Sequence, residues 1–354
     1  MKEKWIELDF ENCLSKFPSY NKIPKKQFLD SGKYPIISQE KDLINGYWDK
    51  TEDLIKIKKP IVVFGDHTKV LKYIDFNFVV GADGVKIFEP IDLIDSKFFM
   101  LAIKSLKLDD LGYARHYRIL KQHKINFPSL PEQQAIVEKL DFVFDAIEKA
   151  KANIEKNIEN AKELFQSKLN EIINLNENDK KLLGDISQIK TGKLNSNAMI
   201  EGGIYNFFTC SREIFKINNY AFDCEAVLLA GNNASGDFNV KHFEGKFNAY
   251  QRTYVITSNP KILNLKLLKY ILEGYLANFK RMSIGANTKF LKIDMIKNVE
   301  IGLPNIIEQE KIVADIDKLS LQTKLLVEKY KHKLANLEEL KKSILEKAFK
   351  GELI

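Results

Sequence analysis

The stretch "PSLPEQQAIVEKLD" at 128–141 and the stretch "PNIIEQEKIVADID" at 304–317 are one helix opening written twice, 176 residues apart. Laid over each other at that offset, Pro128 meets Pro304, and Glu132-Gln133 meets Glu308-Gln309. Ile136-Val137 meets Ile312-Val313, and Asp141 meets Asp317. The register holds downstream without a gap: Asn160 with Asn336, Glu163-Leu164 with Glu339-Leu340, Ser167 with Ser343, Leu169 with Leu345. A repeat this long constrains the fold more than composition does, because the chain must then be two copies of one unit.

Past the opening prolines neither copy contains Pro or Gly until Gly351, a plausible C-terminal stop. Apolar residues of the first fall at Ile136, Leu140, Val143, Ile147, Ile154, Ile158, Ala161, Phe165 and Leu169. Those of the second fall at Ile312, Ile316, Leu319, Leu326, Tyr330, Leu334, Leu337, Leu340 and Ile344. Steps of three and four sustained this far predict two helices, each with one apolar seam. Some 40 residues make a rod of about 60 Å, longer than a small domain can cover. The other copy is the nearest cover. The expected seam of the pair runs through Ile154, Ile158, Phe165 and Leu169 on one side and Tyr330, Leu334, Leu340 and Ile344 on the other.

The intervening segments are strand-rich. "KPIVVFGDH" (59–67) and "EAVLLAGNN" (225–233) read as buried strands delivering polar loops. "FNFVVGADGVKIF" (76–88) reads as a hairpin about an A-D-G turn, with "FNAYQRTYVIT" (247–257) in the equivalent place. Helices are expected at 95–106 and 263–280. The predicted organisation is a first mixed α/β domain (1–127), a long helix (128–175), a second domain (176–303) and a second long helix (304–354). The fold class is α+β: two domains related by a pseudo-two-fold repeat, joined by two long helices packed as an antiparallel coiled coil.

No catalytic motif stands out. There is no G-x-x-x-x-G-K-[ST], no G-x-G-x-x-G opening a helix, and no Asn/Asp-Pro-Pro-aromatic tetrapeptide of an amino-methyltransferase. His67, His116, His123, His242 and His332 have no metal-ligand spacing among themselves or with Cys13, Cys210 and Cys224. Acid pairs such as Asp109-Asp110 and Glu338-Glu339 read as solvated faces. Three cysteines without a C-x-x-C pair fit a reducing compartment. The charged opening "MKEKWIELDF" lacks the apolar run of a signal peptide, and no stretch is apolar enough to span a bilayer. A cytoplasmic chain is expected.

The net charge is +7. The excess sits in the variable segments: residues 176–296 carry 16 basic and 11 acidic side chains, and residues 1–120 carry 20 and 18. That is where a polyanion would need it. Polar residues at the strand ends could hold phosphates or read base edges. In the first segment these are Ser38, Gln39, His67, Thr68, Lys69, Arg115, His116 and Arg118. In the second they are Arg212, Asn232, Asn233, Ser235, Lys241, Asn248, Gln251, Arg252, Arg281, Thr288 and Lys289.

With these residues in view the chain resembles the specificity (S) subunit of a Type I restriction-modification system. The paired openings "LPEQQAIVEKLD" and "LPNIIEQEKIVADID" and the ending "SILEKAFKGELI" carry the resemblance. "GYARHYRILK" and "GANTKFLKIDMIKNVEIGLP" add to it. The resemblance implies two target-recognition domains, each reading half of a bipartite double-stranded DNA sequence, and helices that set the distance between the half-sites. It implies docking of two methyltransferase (M) subunits and, through them, restriction (R) subunits. S-adenosylmethionine, ATP and magnesium belong to those partners, and this chain binds no cofactor and catalyses nothing. The chain departs from the pattern in two places: the openings are capped differently (Ser-Leu-Pro against Asn-Ile-Ile), and the first domain starts with little before Trp5, as if trimmed. Three other readings stay open: a Type II recognition subunit, a coiled-coil scaffold that does not bind DNA, and an enzyme with an unrecognised site.

Overall fold

The structure is a computed structural model that describes residues 5–82, 84–109, 112, 114–173 and 180–352. Asp83 of the expected A-D-G turn, Asp110, Tyr113 and the expected boundary at 175–176 lie outside the described residues. The chain divides into two compact units, Met1–Asn153 with His332–Ile354, and Ile154–Lys331. Each unit takes part of both long helices.

The first unit opens with β1 (Ile6–Asp9), β2 (Lys22–Ile23), β3 (Tyr34–Ile37) and β4 (Gly46–Trp48). It continues with β5 (Ile61–Gly65), β6 (Leu71–Ile74), β7 (Val79–Gly81) and β8 (Val85–Phe88). Helices α1 (Ser96–Ser105) and α2 (Tyr117–Leu120), strand β9 (Lys124–Phe127) and the long α3 (Leu130–Ile173) follow. The strands form sheets ordered β2-β7-β3-β4 and β6-β5-β8, with β1 against β9. Residues 76–88 are therefore no hairpin: β7 runs parallel to β3, whereas β8 lies antiparallel to β5. The chain leaves one sheet for the other at Gly84, whose φ of 85° suits a residue without Cβ.

The second unit holds β10 (Lys180–Leu182), α4 (Leu183–Ile186), β11 (Ser187–Thr191), β12 (Tyr205–Phe208) and β13 (Ile214–Ile217). Next come β14 (Phe222–Ala230), β15 (Asn232–Asn233), β16 (Val240–Ala249) and β17 (Thr253–Ser258). Helices α5 (Leu265–Gly274) and α6 (Leu276–Met282) divide at Tyr275 what the sequence read as one helix. Strand β18 (Lys289–Phe290), α7 (Ile293–Lys297), β19 (Glu300–Gly302) and the second long helix, α8 (Ile306–Phe349), complete it. The main sheet has six strands ordered β11-β17-β14-β16-β12-β13. Here too 247–257 is no hairpin, because β16 and β17 lie on opposite sides of β14.

The frameworks correspond. Val63 of β5 pairs with Lys72 on one side and Ile87 on the other, and Leu228 of β14 pairs with Lys241 and Val255. Strand β1 against β9 matches β10 against β19, so the opening strand is present in the first domain. One difference is continuity. Ten-residue β16 pairs with β14 and runs on beside β12, bending at Gly245 (φ 118°). In the first domain that path breaks between β6 and β7, and the sheet splits in two.

Helices α3 and α8 are 44 residues each and pack antiparallel. In the first unit Glu148 meets Lys341 at 2.6 Å and Lys151 meets Glu338 at 2.5 Å, while Ile136 and Leu140 share a core with Leu345 and Ala348. That core is rich in rings: Phe10 packs on Phe88 (5.2 Å) and Phe99 (5.6 Å). In the second unit Leu169 and Ile172 join Val313 and Ile316 in the domain core, with Phe165 and Ile312 against them. Burying one such side chain contributes about 1.5–3 kcal/mol.

Leu340 corrects the expected seam: it is 47% exposed. The inward position is Lys341, whose ammonium lies 5.1 Å from the centre of the Phe144 ring and reaches Glu148. Its aliphatic stem lies along the seam while its charge escapes to the rim. An apolar-only reading therefore steps to the wrong residue. Leu326, 39% exposed, also faces outward. Ile154, Ile158, Phe165, Tyr330, Leu334 and Ile344 are half-buried, and Leu169 is buried.

Candidate nucleic-acid interface

In the first domain the ends of β3, β5 and β7 converge. Thr68 Oγ1 donates to the Gln39 carbonyl at 2.6 Å, and the His67 amide donates to Gln39 Oε1 at 3.3 Å. A Cβ at Gly84 would lie 2.6 Å from Gln39 Oε1 and 2.8 Å from the His67 ring, so only glycine lets these segments meet. Lys69 follows in the same turn at φ 58°, a conformation uncommon for a residue with a side chain. The His116 amide donates to the Asp66 carbonyl at 2.8 Å, and the Tyr117 amide to Asp66 Oδ1 at 2.8 Å, which brings the 115–118 segment alongside. Gln39, His67, Thr68, Lys69, Arg115 and Arg118 thus share one edge of the domain, with Thr68, Arg115 and Arg118 exposed.

The second domain builds the same edge from other residues. The Gly231 amide donates to the Arg252 carbonyl and the Leu291 amide to the Gly231 carbonyl, repeating the role of Asp66. Asn233 Oδ1 accepts from the amides of Ser235 and Asp237 and from Ser235 Oγ, a turn held by one side chain. Arg212 Nη2 lies 2.9 Å from both carboxylate oxygens of Asp237. Asn232 and Asn233 pair with Phe290 and Lys289. A cleft of ≈ 480 Å³ opens among Asn197, Cys210, Ser211, Asn232 and Tyr250, and one of ≈ 220 Å³ among Gly231, Gln251, Arg252, Tyr254 and Leu291. Exposed Arg212, Ser235, Gln251, Arg252, Arg281 and Thr288 and half-buried Lys289 supply donors there.

Four candidates point inward: Ser38, His116, Asn248 and the half-buried Lys241, whose ammonium bonds the Ser211 carbonyl and Asn239 Oδ1. Ser38 (4% exposed) bonds Asn45 Oδ1 through both amide and hydroxyl, at 2.8 Å each. His116 is fully buried with Nδ1 3.0 Å from the Asp66 carbonyl. Asn248 (4% exposed) spends its amide on Asn219 and the Ala249 amide. Such buried polar groups are satisfied inside the protein and shape the loops rather than face a duplex.

Two lysines hold this edge from beneath: sequence reasoning passed over Lys72 and read Lys241 as a candidate DNA contact, whereas its ammonium is bonded inside the domain. Lys72 Nζ, under β3–β4, donates to the Asp42 carbonyl (2.5 Å) and to Asn45 Oδ1 (2.9 Å). Lys241 Nζ, under β12–β13, donates to the Ser211 carbonyl and to Asn239 Oδ1, both at 2.5 Å. Burial pushes each ammonium down to about 8, with Asp42 and Glu40 opposing it at Lys72, and with Cys210 opposing and Arg212 adding to it at Lys241. The two lysines are 169 residues apart, off the 176 register of the helices, so the repeat does not align them. A lysine inside an apolar strand was the available signal.

A family model for the Type I restriction modification DNA specificity domain matches residues 15–160 and again 164–336. The chain belongs to this family. It is 36% identical over 171 residues to the specificity subunit of Type I restriction enzyme EcoDI of Escherichia coli, a match covering 48% of this chain and 37% of that one. It is 28% identical over 269 residues to the StySPI specificity subunit of Salmonella potsdam, covering 65% and 57%. The chain thus spans well under two thirds of the length of these relatives. A chain from work on complex assembly and conformational transition of the type I R-M system superposes with TM-score 0.77 at 17% identity, over 99% of both chains. The HsdS subunit of Thermoanaerobacter tengcongensis gives TM-score 0.60 at 17% identity, over 100% of this chain and 98% of that one. At such identities the likeness is one of fold. Two family domains in tandem account for the duplicated framework. No helix among the described residues is long and apolar enough to cross a membrane.

Proposed function

We propose that this chain is the DNA-reading specificity subunit of a Type I restriction-modification complex. Each domain presents its strand-end edge to one half of a bipartite double-stranded target. The paired helices set the separation of the half-sites and dock two methyltransferase subunits, which engage restriction subunits in turn. S-adenosylmethionine, ATP and magnesium act on those partners, and this chain supplies recognition without catalysis in the cytoplasm. The observation that carries the reading is two matched frameworks bearing different polar edges: Gln39, Thr68 and Arg115 in one, Arg212, Gln251 and Arg252 in the other. Arg suits guanine O6/N7 and Gln suits adenine N6/N7, so unlike edges suit unlike half-sites. A scaffold would need no such difference. Family membership favours Type I over a Type II arrangement.

The test exchanges residues 180–296 for those of a relative and maps methylated adenines genome-wide in cells carrying the whole system. One half of the methylated motif should change and the other stay. A change in both halves would mean one joint site. Purified chain with DNA, S-adenosylmethionine, ATP and magnesium should neither methylate nor cut, and activity in that mixture would overturn the non-catalytic reading.

A further inference from the structure

Lys72, buried, and Lys241, half-buried, form a pair. Lys72 is 5% exposed, and its three donors face three acceptors: the Asp42 carbonyl (2.5 Å), Asn45 Oδ1 (2.9 Å) and the Leu43 carbonyl (3.4 Å). Asn45 closes the unit by donating to the same Asp42 carbonyl at 2.9 Å. Lys241 occupies the same lattice point of the second domain, opposite Leu228 as Lys72 is opposite Val63. It bonds the Ser211 carbonyl and Asn239 Oδ1, and Asn239 donates to the Cys210 carbonyl at 2.8 Å. Each domain therefore has one tether of Lys ammonium, Asn amide and loop carbonyls. The asparagines come from different places: Asn45 from the tethered loop, Asn239 from beside the lysine's own strand. The same chemistry is kept while its sequence position moves.

A buried ammonium is costly, and an apolar side chain of similar volume would stabilise the sheet as well or better. What the lysine adds is a fixed loop. The loop tethered by Lys72 carries Gln39, which Thr68 and the His67 amide grip from the other side. The loop tethered by Lys241 carries Arg212, two residues beyond Cys210, whose thiol reaches the Arg252 carbonyl at 3.4 Å. Both tethers end under residues of the proposed DNA edge.

We propose that Lys72 and Lys241 are positioning residues for sequence recognition, each fixing the carbonyl backbone of the loop through which its domain reads one half-site. The inference rests on the DNA-reading function proposed above. Neither lysine touches DNA.

The experiment uses the complete system in cells, with Lys72→Met and Lys241→Met made separately and methylated adenines mapped genome-wide. Lys72→Met should relax one half of the motif, with discrimination at one or more positions falling by about fivefold to a hundredfold, a base contact's usual worth. Lys241→Met should relax the opposite half. A loss of folded protein alone lowers methylation at every site equally and leaves the motif unchanged, so that result overturns the proposal, as does relaxation of the same half by both variants. If a methionine variant is insoluble, Asn45→Ala and Asn239→Ala break the same tethers and are read the same way. A wild-type system that methylates no bipartite motif refutes the DNA-reading function itself, a result distinct from unchanged motifs in the variants.

Discussion

Gln133 Oε1 accepts the backbone N–H of Asp95 at 2.8 Å, and Gln309 repeats the bond with Asn264 at 2.9 Å. Asp95 and Asn264 are the N-caps of α1 and α5, and their side chains accept from the next turns of those helices. Each glutamine also donates to two carbonyls, Leu93 and Pro128 in one copy, Ile262 and Pro304 in the other. The repeated glutamine is thus a joint that locks a domain helix to the start of a long helix. The repeated aspartates serve a second joint: Asp141 pairs with Lys97 at 2.6 Å, and Asp317 accepts from the Tyr270 hydroxyl.

Breaking one joint tests this directly. Gln133→Ala leaves the Asp95 amide and two carbonyls without their partner in a site where Gln133 is fully buried. Loss of about 1–3 kcal/mol is expected, and Gln309→Ala should cost a similar amount. Denaturant midpoints of the purified variants measure it. A shift below about 0.5 kcal/mol, the size of an ordinary surface substitution, would remove the joint from this account.

The corrected seam separates two leucines. Leu140 is fully buried between α3, α8 and the first domain, so Leu140→Ala should cost about 2–5 kcal/mol. Leu340→Ala, at an exposed site, should stay within about 0.5 kcal/mol. Thermal unfolding of both variants gives the comparison. Equal losses would restore Leu340 to the seam.

Lys72 gives stability a pH signature. Its folded value is lowered to about 8 from 10.5, chiefly by burial, with Asp42 and Glu40 partly opposing. Between those values the unfolded chain binds the extra proton, so stability should rise with pH from about 8 to 10.5. Below 8 both states are charged and the burial cost stands in full. Lys72→Met removes this contribution, of order 1–3 kcal/mol, and flattens the profile across that window. Unfolding measured at pH 7, 8, 9 and 10 on both proteins checks the sign. A steeper rise in the variant would contradict it.

Lengthening a helix probes the proposed spacing role. Four helix-forming residues inserted after Lys156 add about 6 Å, close to two base pairs at about 3.4 Å each, and nearly preserve the seam. The methylated motif should keep both halves and gain spacer. Two inserted residues rotate the seam by about half a turn and should disrupt packing. A four-residue insertion that methylates at the old spacer would show that the helices do not set the distance.

The sequence determined the duplication, the two long helices and most of the apolar stripe, because a helix writes its contacts at steps of three and four along one segment. It also placed most edge candidates at strand ends, since strand ends carry polar turn residues. It could not decide strand partners. Residues 76–88 look like a hairpin locally, yet β7 and β8 join different sheets, because pairing depends on segments far away in the chain. Nor could it tell Arg115, which faces out, from His116 beside it, which is sealed against Asp66. The lysine tethers escaped it for the same reason, and Lys241 was read as a DNA contact instead. Lys72 meets Asn45 across 27 residues and Lys241 meets Ser211 across 30, and only the folded sheet brings those atoms within hydrogen-bond reach.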